Sequence, residues 1–144
     1  MNLQEKVNNF NPFQKSTKNN NMKHLFIPYN LALLAKEKGF DGRCLAGYEN
    51  EVFTLYKDEN MSGWCNRNLP EGEITAPLYQ QLVDWFRENH GKNISIDPYY
   101  YPFYSKDISI KGIIVVKGYT EKEAFGSTYY EALNKAFEEA FKLI

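Results

Sequence analysis

Four side chains in this 144-residue chain are natural candidates for acid–base or nucleophilic chemistry: two cysteines and two histidines. Cys65 lies in a polar loop beside Arg67, and a nearby cation lowers a thiol pKa, so we expect Cys65 to be the more exposed and reactive thiol. Cys44 falls in a strand pattern, which is typical of an inert buried thiol. The sequence nominates no base for Cys65, so we predict no catalytic residue.

The histidines favour structural roles. His90 ends a predicted helix just before Gly91, where the helix dipole favours a protonated imidazole. His24 follows an asparagine-rich N-terminal segment. The cysteines and histidines are not spaced as metal ligands, and no phosphate-binding glycine motif occurs. We therefore expect no enzyme activity, no metal and no cofactor.

An aromatic run is the most distinctive feature of the sequence. We predict that the binding residues are those of this run together with one loop tryptophan: Tyr99, Tyr100, Tyr101, Phe103, Tyr104 and Trp64. In an extended chain alternate residues share a face, so at least one ring of the run points outward. Three interpretations stay open: strands with half the rings in the core, a protein-binding patch, or a stacking platform for bases.

Two helices are predicted in the first two thirds of the chain. The first begins at the N-cap Asn30 and ends at Gly39. The second is capped by Thr75, has Pro77 in its first turn and stops at Gly91. Both carry apolar residues at helical spacing, so each has one face suited to a core.

Extended segments and a third helix complete the prediction. We expect strands near residues 44–48, 51–57, 93–101, 103–110 and 112–119, with a polar loop over 58–73. A hairpin corner is predicted at Asn50, and Gly112 is assigned to a turn. Thr128 and Glu131 form a capping box for the last helix. The predicted apolar stripe of this helix is Tyr130, Leu133, Phe137, Ala140, Phe141 and Ile144. The fold class is α+β, with three helices packed on a small, mainly antiparallel sheet in the order α-β-β-α-β-β-(β)-α.

Charge and composition distinguish an N-terminal segment from the rest of the chain. Residues 1–21 contain seven asparagines, and we predict a disordered leader or upstream extension, with Met22 as the natural start and residues 22–144 as one α+β domain. Residues 1–23 carry a net charge of +3 and the remainder −4. Without a signal peptide or an apolar span, we expect a cytoplasmic protein with no membrane partner.

Residues 75–144 read helix, three strands, helix, which is the order of double-stranded-RNA-binding domains. Gly126-Ser127-Thr128 is similar to the start of that family's last helix. That family carries lysines there to grip phosphates, and this chain has none at the matching positions. Since phosphate contacts supply most of such affinity, the sequence argues against nucleic acid as a partner.

Three stretches resemble another group, namely residues 33–41, 76–87 and 129–136. They are similar to small uncharacterised proteins of Bacteroides-type gut bacteria and of their phages and mobile elements. The resemblance covers roughly residues 22–144 and consists of helical framework. It implies a phage or mobile-element context and carries over no functional residue.

The functional prediction is a non-enzymatic accessory protein, an adaptor or inhibitor that binds another protein or a second copy of itself. One alternative is a binder of single-stranded nucleic acid or of a nucleotide that uses the aromatic run. The other alternative is a small enzyme whose site the sequence does not nominate.

Overall fold

The computed structural model describes residues 17–57, 63–99, 109–116 and 119–144. Within these ranges the chain begins with a 3₁₀ helix, Thr17–Leu25, and a second one lies at Asn66–Asn68. The α-helices are α1 (Tyr29–Glu37), α2 (Tyr79–His90) and α3 (Tyr129–Lys142). The strands are β1 (Ala46–Glu49), β2 (Val52–Leu55), β3 (Glu73–Thr75), β4 (Lys92–Tyr99), β5 (Ser109–Val116) and β6 (Tyr119–Gly126).

The strands form two antiparallel sheets with the orders β2-β1-β3 and β4-β5-β6. The predicted α+β class, with three helices and antiparallel strands, is confirmed. From α2 to α3 the described elements are helix, three strands, helix, which is the predicted number. The three strands do not match the predicted ones one for one, and most of the predicted strand 103–110 lies outside the described residues. None of the helices in the described ranges has the length and apolar character needed to cross a bilayer.

The β1–β2 hairpin turns where it was predicted. Asn50 and Glu51 both have positive φ, 49° and 66°, which is the backbone of a turn that matches the twist of two antiparallel strands. Asparagine tolerates this conformation well. Glu51 adopts it as well, although nothing in its side chain favours positive φ.

Helix α2 begins three residues later than predicted, with Leu78 and not Thr75 as its N-cap. Thr75 does not cap it, because Thr75 pairs with Gly47 in strand β3 and donates its backbone N–H to Asn66 Oδ1 at 2.9 Å. Pro77 is not in the first turn either, since its carbonyl accepts a hydrogen bond from the Ile27 N–H at 3.0 Å. Long-range pairing therefore keeps this segment extended.

Among the other predicted helix ends, one is wrong and two are confirmed. The prediction of Asn30 as the N-cap of α1 is wrong, because the helix starts at Tyr29 after Pro28 and Asn30 lies in its first turn. Gly91 ends α2 with φ 63°, as expected for a glycine in the left-handed conformation. Thr128 caps α3 as predicted, because its Oγ1 accepts from the Glu131 N–H at 3.1 Å.

The second sheet differs from the prediction in its last two strands. Strand β5 spans residues 109–116, so Gly112 lies inside it, paired with Ile96 and Ala124, and not in a turn. Strand β6 was not predicted. Its sequence has charged residues on both sides of the strand, and pairing with β5 makes it extended.

One core joins the two sheets. Phe137 and Phe141 of α3 are buried together with Phe86 and Leu82 of α2. The same cluster contains residues from α1, from the first sheet and from the second: Leu31, Ala35, Ala46, Tyr48, Ile74, Ile94 and Ala124. Because α3 packs on all three strands of the second sheet and on α1, it is the central element of this core.

Candidate functional site

The predicted binding residues are only partly described. Tyr99 is the last residue of β4, with its backbone paired to Ser109. Tyr100, Tyr101, Phe103 and Tyr104 lie outside the described residues, so their role stays a prediction. Trp64 is 46% exposed, and its backbone exchanges two hydrogen bonds of 2.9 Å with Cys44.

Cys65 is buried, with 4% of its surface exposed, so the expectation of an exposed thiol is wrong. The side chain of Asn66 explains the difference. Its Nδ2 donates to the Phe40 carbonyl at 2.9 Å, and its Oδ1 accepts from the Thr75 N–H. These two bonds hold the loop against the body of the protein and bury the neighbouring thiol.

Cys44 is buried as predicted, and burial raises the pKa of its thiol to about 12. A thiol with such a pKa is almost entirely protonated near neutrality and is a poor nucleophile. The guanidinium of Arg67, expected to activate Cys65, forms an ion pair with Asp41 at 3.0 Å. Both cysteines are free thiols.

His90 ends α2 as predicted but not as a protonated cap. Its ring lies 4.5 Å from that of Trp85, and its Nε2 is buried with no hydrogen-bond partner among the described residues. Burial first, then the nearby cations Lys92 and Lys38, lower the pKa of this imidazole. These surroundings favour the neutral ring, whereas the prediction from the helix dipole was a protonated one.

The site that the structure assembles is a different one. An open surface groove of about 430 Å³ lies between the N-terminal 3₁₀ helix, strand β1 and the first turns of the three α-helices. We call it the aromatic groove, and its lining residues are Lys23, His24, Phe26, Pro28, Tyr48, Tyr79 and Tyr130.

Two tyrosines of the groove are fixed by their hydroxyl groups. Tyr48 is buried and donates to the Ile27 carbonyl at 2.8 Å, while Tyr79 donates to Asn134 Oδ1 at 2.7 Å. Burial raises the pKa of each phenol to about 12, so both remain neutral. With these hydroxyl protons used inside the protein, the two side chains offer mainly ring surface to a ligand.

Ring contacts between neighbouring residues form a contiguous aromatic wall on one side of the groove. The Tyr79 ring lies 5.0 Å from that of Tyr130 and 6.2 Å from that of Phe137 in the core. His24 meets Tyr130 edge to face at 6.3 Å, and Tyr129 does so at 5.3 Å. Tyr130 and Tyr129 are 36% and 52% exposed, so this wall reaches the protein surface.

A cation lies at the rim of the groove. Lys23 and His24 are exposed there, and none of the described residues that line the groove is acidic. Within the described part of the chain Lys23 forms no ion pair. Pro28 is the N-cap of α1 and Tyr79 is the first residue of α2, and neither first turn contains an acidic residue. At α2 a neutral amide oxygen, Gln81 Oε1, accepts a hydrogen bond of 2.9 Å from the N-cap N–H. The partial positive charge of these helix starts is therefore not neutralised by a carboxylate of their own first turn.

Sequence reasoning missed the groove because its residues come from five separate segments. Tyr130 was assigned to the apolar stripe of the last helix, but its ring lies at the groove and not in the core. The available signal was a tyrosine within the first two positions of both α2 and α3, Tyr79 and Tyr130. Recognising the two as neighbours required the tertiary structure.

A scan against protein-family models and searches of curated proteins and of solved structures match no family, no protein and no structure. The resemblance to proteins of gut bacteria and their phages therefore stays a prediction. The helix–three strands–helix order describes only how the backbone elements follow one another. At the matching start of α3 the first turn contains Glu131 and no cation.

Proposed function

We propose that this protein is a non-enzymatic binding module that recognises another protein through the aromatic groove. The observation that carries the proposal is the groove itself, an open depression of about 430 Å³ with three tyrosines and a phenylalanine in its lining. The role as an accessory protein of a phage or mobile element is part of the same proposal. That role rests on the sequence resemblance alone.

The shape and composition of the groove favour a polypeptide. It is open to solvent, whereas sites for small molecules enclose most of their ligand. Tyrosine is enriched at protein interfaces because it brings a large contact area with few rotatable bonds. The exposed residues Met22 and Leu25 next to the rim, together with Tyr129, extend the apolar surface beyond the groove.

Thiol chemistry also favours binding over catalysis. Cys44 and Cys65 are both buried, and the raised pKa of Cys44 disfavours its thiolate. The two histidines do not supply these thiols with a base, because His90 packs among aromatic rings and His24 contacts Tyr130. Neither arrangement pairs a nucleophile with a base.

The test compares a groove variant with a matched surface variant. A partner is first identified by affinity capture from host extract and purified, and its dissociation constant is then measured by calorimetry. Tyr130→Glu places a charge in the groove wall and is expected to weaken binding at least about tenfold, or ~1.4 kcal/mol. Leu33→Glu, at an equally exposed position of α1, is expected to bind like the wild type.

A third variant separates the groove from the aromatic run. Tyr100→Glu changes the run and leaves the groove residues unchanged. If Tyr100→Glu abolishes binding and Tyr130→Glu does not, the run is the binding surface and the groove proposal is wrong. Thermal unfolding of each variant shows whether a loss of binding reflects a loss of the fold.

A further inference from the structure

We infer that the segment bound in the aromatic groove is acidic: a short stretch of polypeptide in which carboxylate side chains alternate with apolar ones. This inference rests on the proposed function and specifies the chemistry of the partner. It follows from the position of the positive charge around the groove and from the apolar character of its floor.

The positive charge is local. Residues 24–144 carry a net charge of −4, so the body of the protein repels an acidic partner. The 3₁₀ helix Thr17–Leu25 contains two lysines and one histidine and no acidic residue. Lys23 and His24 at its end both line the groove. An acidic segment is therefore attracted to this part of the surface and repelled by the rest.

The helix starts add to the same field. Pro28 and Tyr79 place the positive ends of α1 and α2 at the groove, with no acidic residue in either first turn. At α3 the situation differs, because Glu131 lies in the first turn and accepts hydrogen bonds from Ser127 and Lys135. Asn30, in the first turn of α1, already donates to Glu138 Oε1 at 3.4 Å, so the start of α2 and the Lys23 ammonium on the rim are the groups that favour a carboxylate.

The floor of the groove favours apolar side chains in the bound segment. Phe26 and Tyr48 are buried beneath it, and Tyr79 forms part of its wall. Since the hydroxyls of Tyr48 and Tyr79 already donate inside the protein, the floor offers ring surface without a free donor. Aliphatic or aromatic side chains bury well there, so carboxylates on the rim and apolar residues on the floor fit one extended segment.

Nucleic acid fits this site less well. Phosphates recur at every nucleotide, and tight binding needs several lysine or arginine contacts along the strand. The lining of the groove supplies one lysine and one histidine.

The experiment measures fluorescence anisotropy of a labelled decapeptide that alternates glutamate with leucine and phenylalanine. Its counterpart has glutamine in place of every glutamate. We expect the acidic peptide to bind at least about tenfold more tightly than the glutamine peptide, and more weakly as salt is raised. Lys23→Gln should reduce binding of the acidic peptide only. Lys36→Gln, an equal charge change on the exposed face of α1, should have no effect.

The outcomes separate this inference from the proposed function. If the two peptides bind equally, or if neither binds, the partner segment is not acidic and the inference is overturned. The proposed function still stands in that case, provided that Tyr130→Glu weakens binding of the captured partner. If a labelled single-stranded oligonucleotide binds at low salt more tightly than the acidic peptide and loses affinity in Lys23→Gln, the ligand is a nucleic acid and the inference is wrong.

Discussion

His90 lies where helix α2 meets strand β4, with its ring 4.5 Å from Trp85 and 5.9 Å from Phe86. Lys92, on β4, is buried and pairs with Glu121 at 2.9 Å. Lys92 and Lys38, which follows α1, are the nearby cations that disfavour a protonated ring. The surroundings therefore stabilise the neutral imidazole, in agreement with its lowered pKa.

This environment predicts a pH dependence of stability. Because the folded-state pKa of His90 is below its ordinary value of 6.5, the unfolded chain binds the proton more tightly. The contribution of His90 to stability is thus fully present above pH 6.5 and is lost as the pH falls below that value. Thermal unfolding from about pH 8 to about pH 5 should show this loss in the wild type.

The variant His90→Phe keeps an aromatic ring and removes the titration. We expect its melting temperature to fall less than that of the wild type over the same pH range. Glu131 does not confuse the comparison, because both proteins contain it. Hydrogen bonds from Ser127 and then Lys135 lower its pKa to about 2, and the stability that this gives is lost only as the pH falls below the ordinary value of 4.5. Identical pH profiles for the two proteins would contradict the assignment of His90.

At the scale of elements, helix α3 shows how local and tertiary determinants combine. Thr128 caps the helix, and Glu131 reaches back to accept from the Ser127 N–H at 3.0 Å. Just before the cap, Gly126 lies against the first turn, where a Cβ atom would come within 2.8 Å of the Glu131 carbonyl carbon. The start of α3 is therefore specified both by its cap and by close contact with the end of β6.

The side-chain cap of α3 predicts how two substitutions of Thr128 change the stability of the protein. Thr128→Ala removes the acceptor for the Glu131 N–H and should lower the free energy of unfolding by about 1 kcal/mol. Thr128→Ser keeps a hydroxyl oxygen at the same position and should change it by only a few tenths of a kcal/mol. Urea denaturation followed by circular dichroism measures both. A serine variant as unstable as the alanine variant would show that the methyl group, and not the cap, matters.

At the scale of the whole molecule, Phe137 links the core to the groove. Its ring is buried, lies 5.9 Å from that of Phe86 and stacks 6.2 Å from that of Tyr79, which lines the groove. The same core contains Tyr48, whose hydroxyl bonds to Ile27 beneath the groove. The rings that would contact a partner are thus supported by the centre of the protein.

A shared core predicts cooperative unfolding of both sheets. Trp64 lies beside the first sheet and Trp85 on α2, so Trp64→Phe and Trp85→Phe leave one fluorescent reporter in each place. Both reporters and circular dichroism should give the same denaturation midpoint. Phe137→Ala should lower the free energy of unfolding by about 3–5 kcal/mol. The midpoints reported by the two tryptophans and by circular dichroism should fall together. Separate midpoints for the two tryptophans would mean that the sheets unfold independently.

The local elements of this fold could be read from the sequence, because their causes are local. Thr128 and Gly91 act on residues within one turn of a helix, and Asn50 acts within a single hairpin. The stripe of α3 from Leu133 to Phe141 is buried as predicted, since helical spacing alone brings those side chains to one face.

Elements that depend on distant partners could not be predicted from the sequence in the same way. Thr75 has the side chain of a good helix cap, yet its backbone belongs to β3 because Gly47 and Asn66 occupy its hydrogen-bonding groups. Strand β6 has too many charges for a strand pattern, and pairing with β5 makes it extended. Backbone groups that are satisfied by long-range pairing override local preference.

The amino-acid sequence by itself determined the α+β class, the amphipathic faces of the three helices and the small number of cysteines and histidines, two of each. Only the tertiary structure decided that Cys65 is buried, that His90 favours its neutral form, and that Lys23, Tyr48 and Tyr130 meet in one groove. The physical reason is separation along the chain: burial and shared surfaces depend on which distant segments pack together. Caps, turns and helical faces depend on neighbours a few residues away.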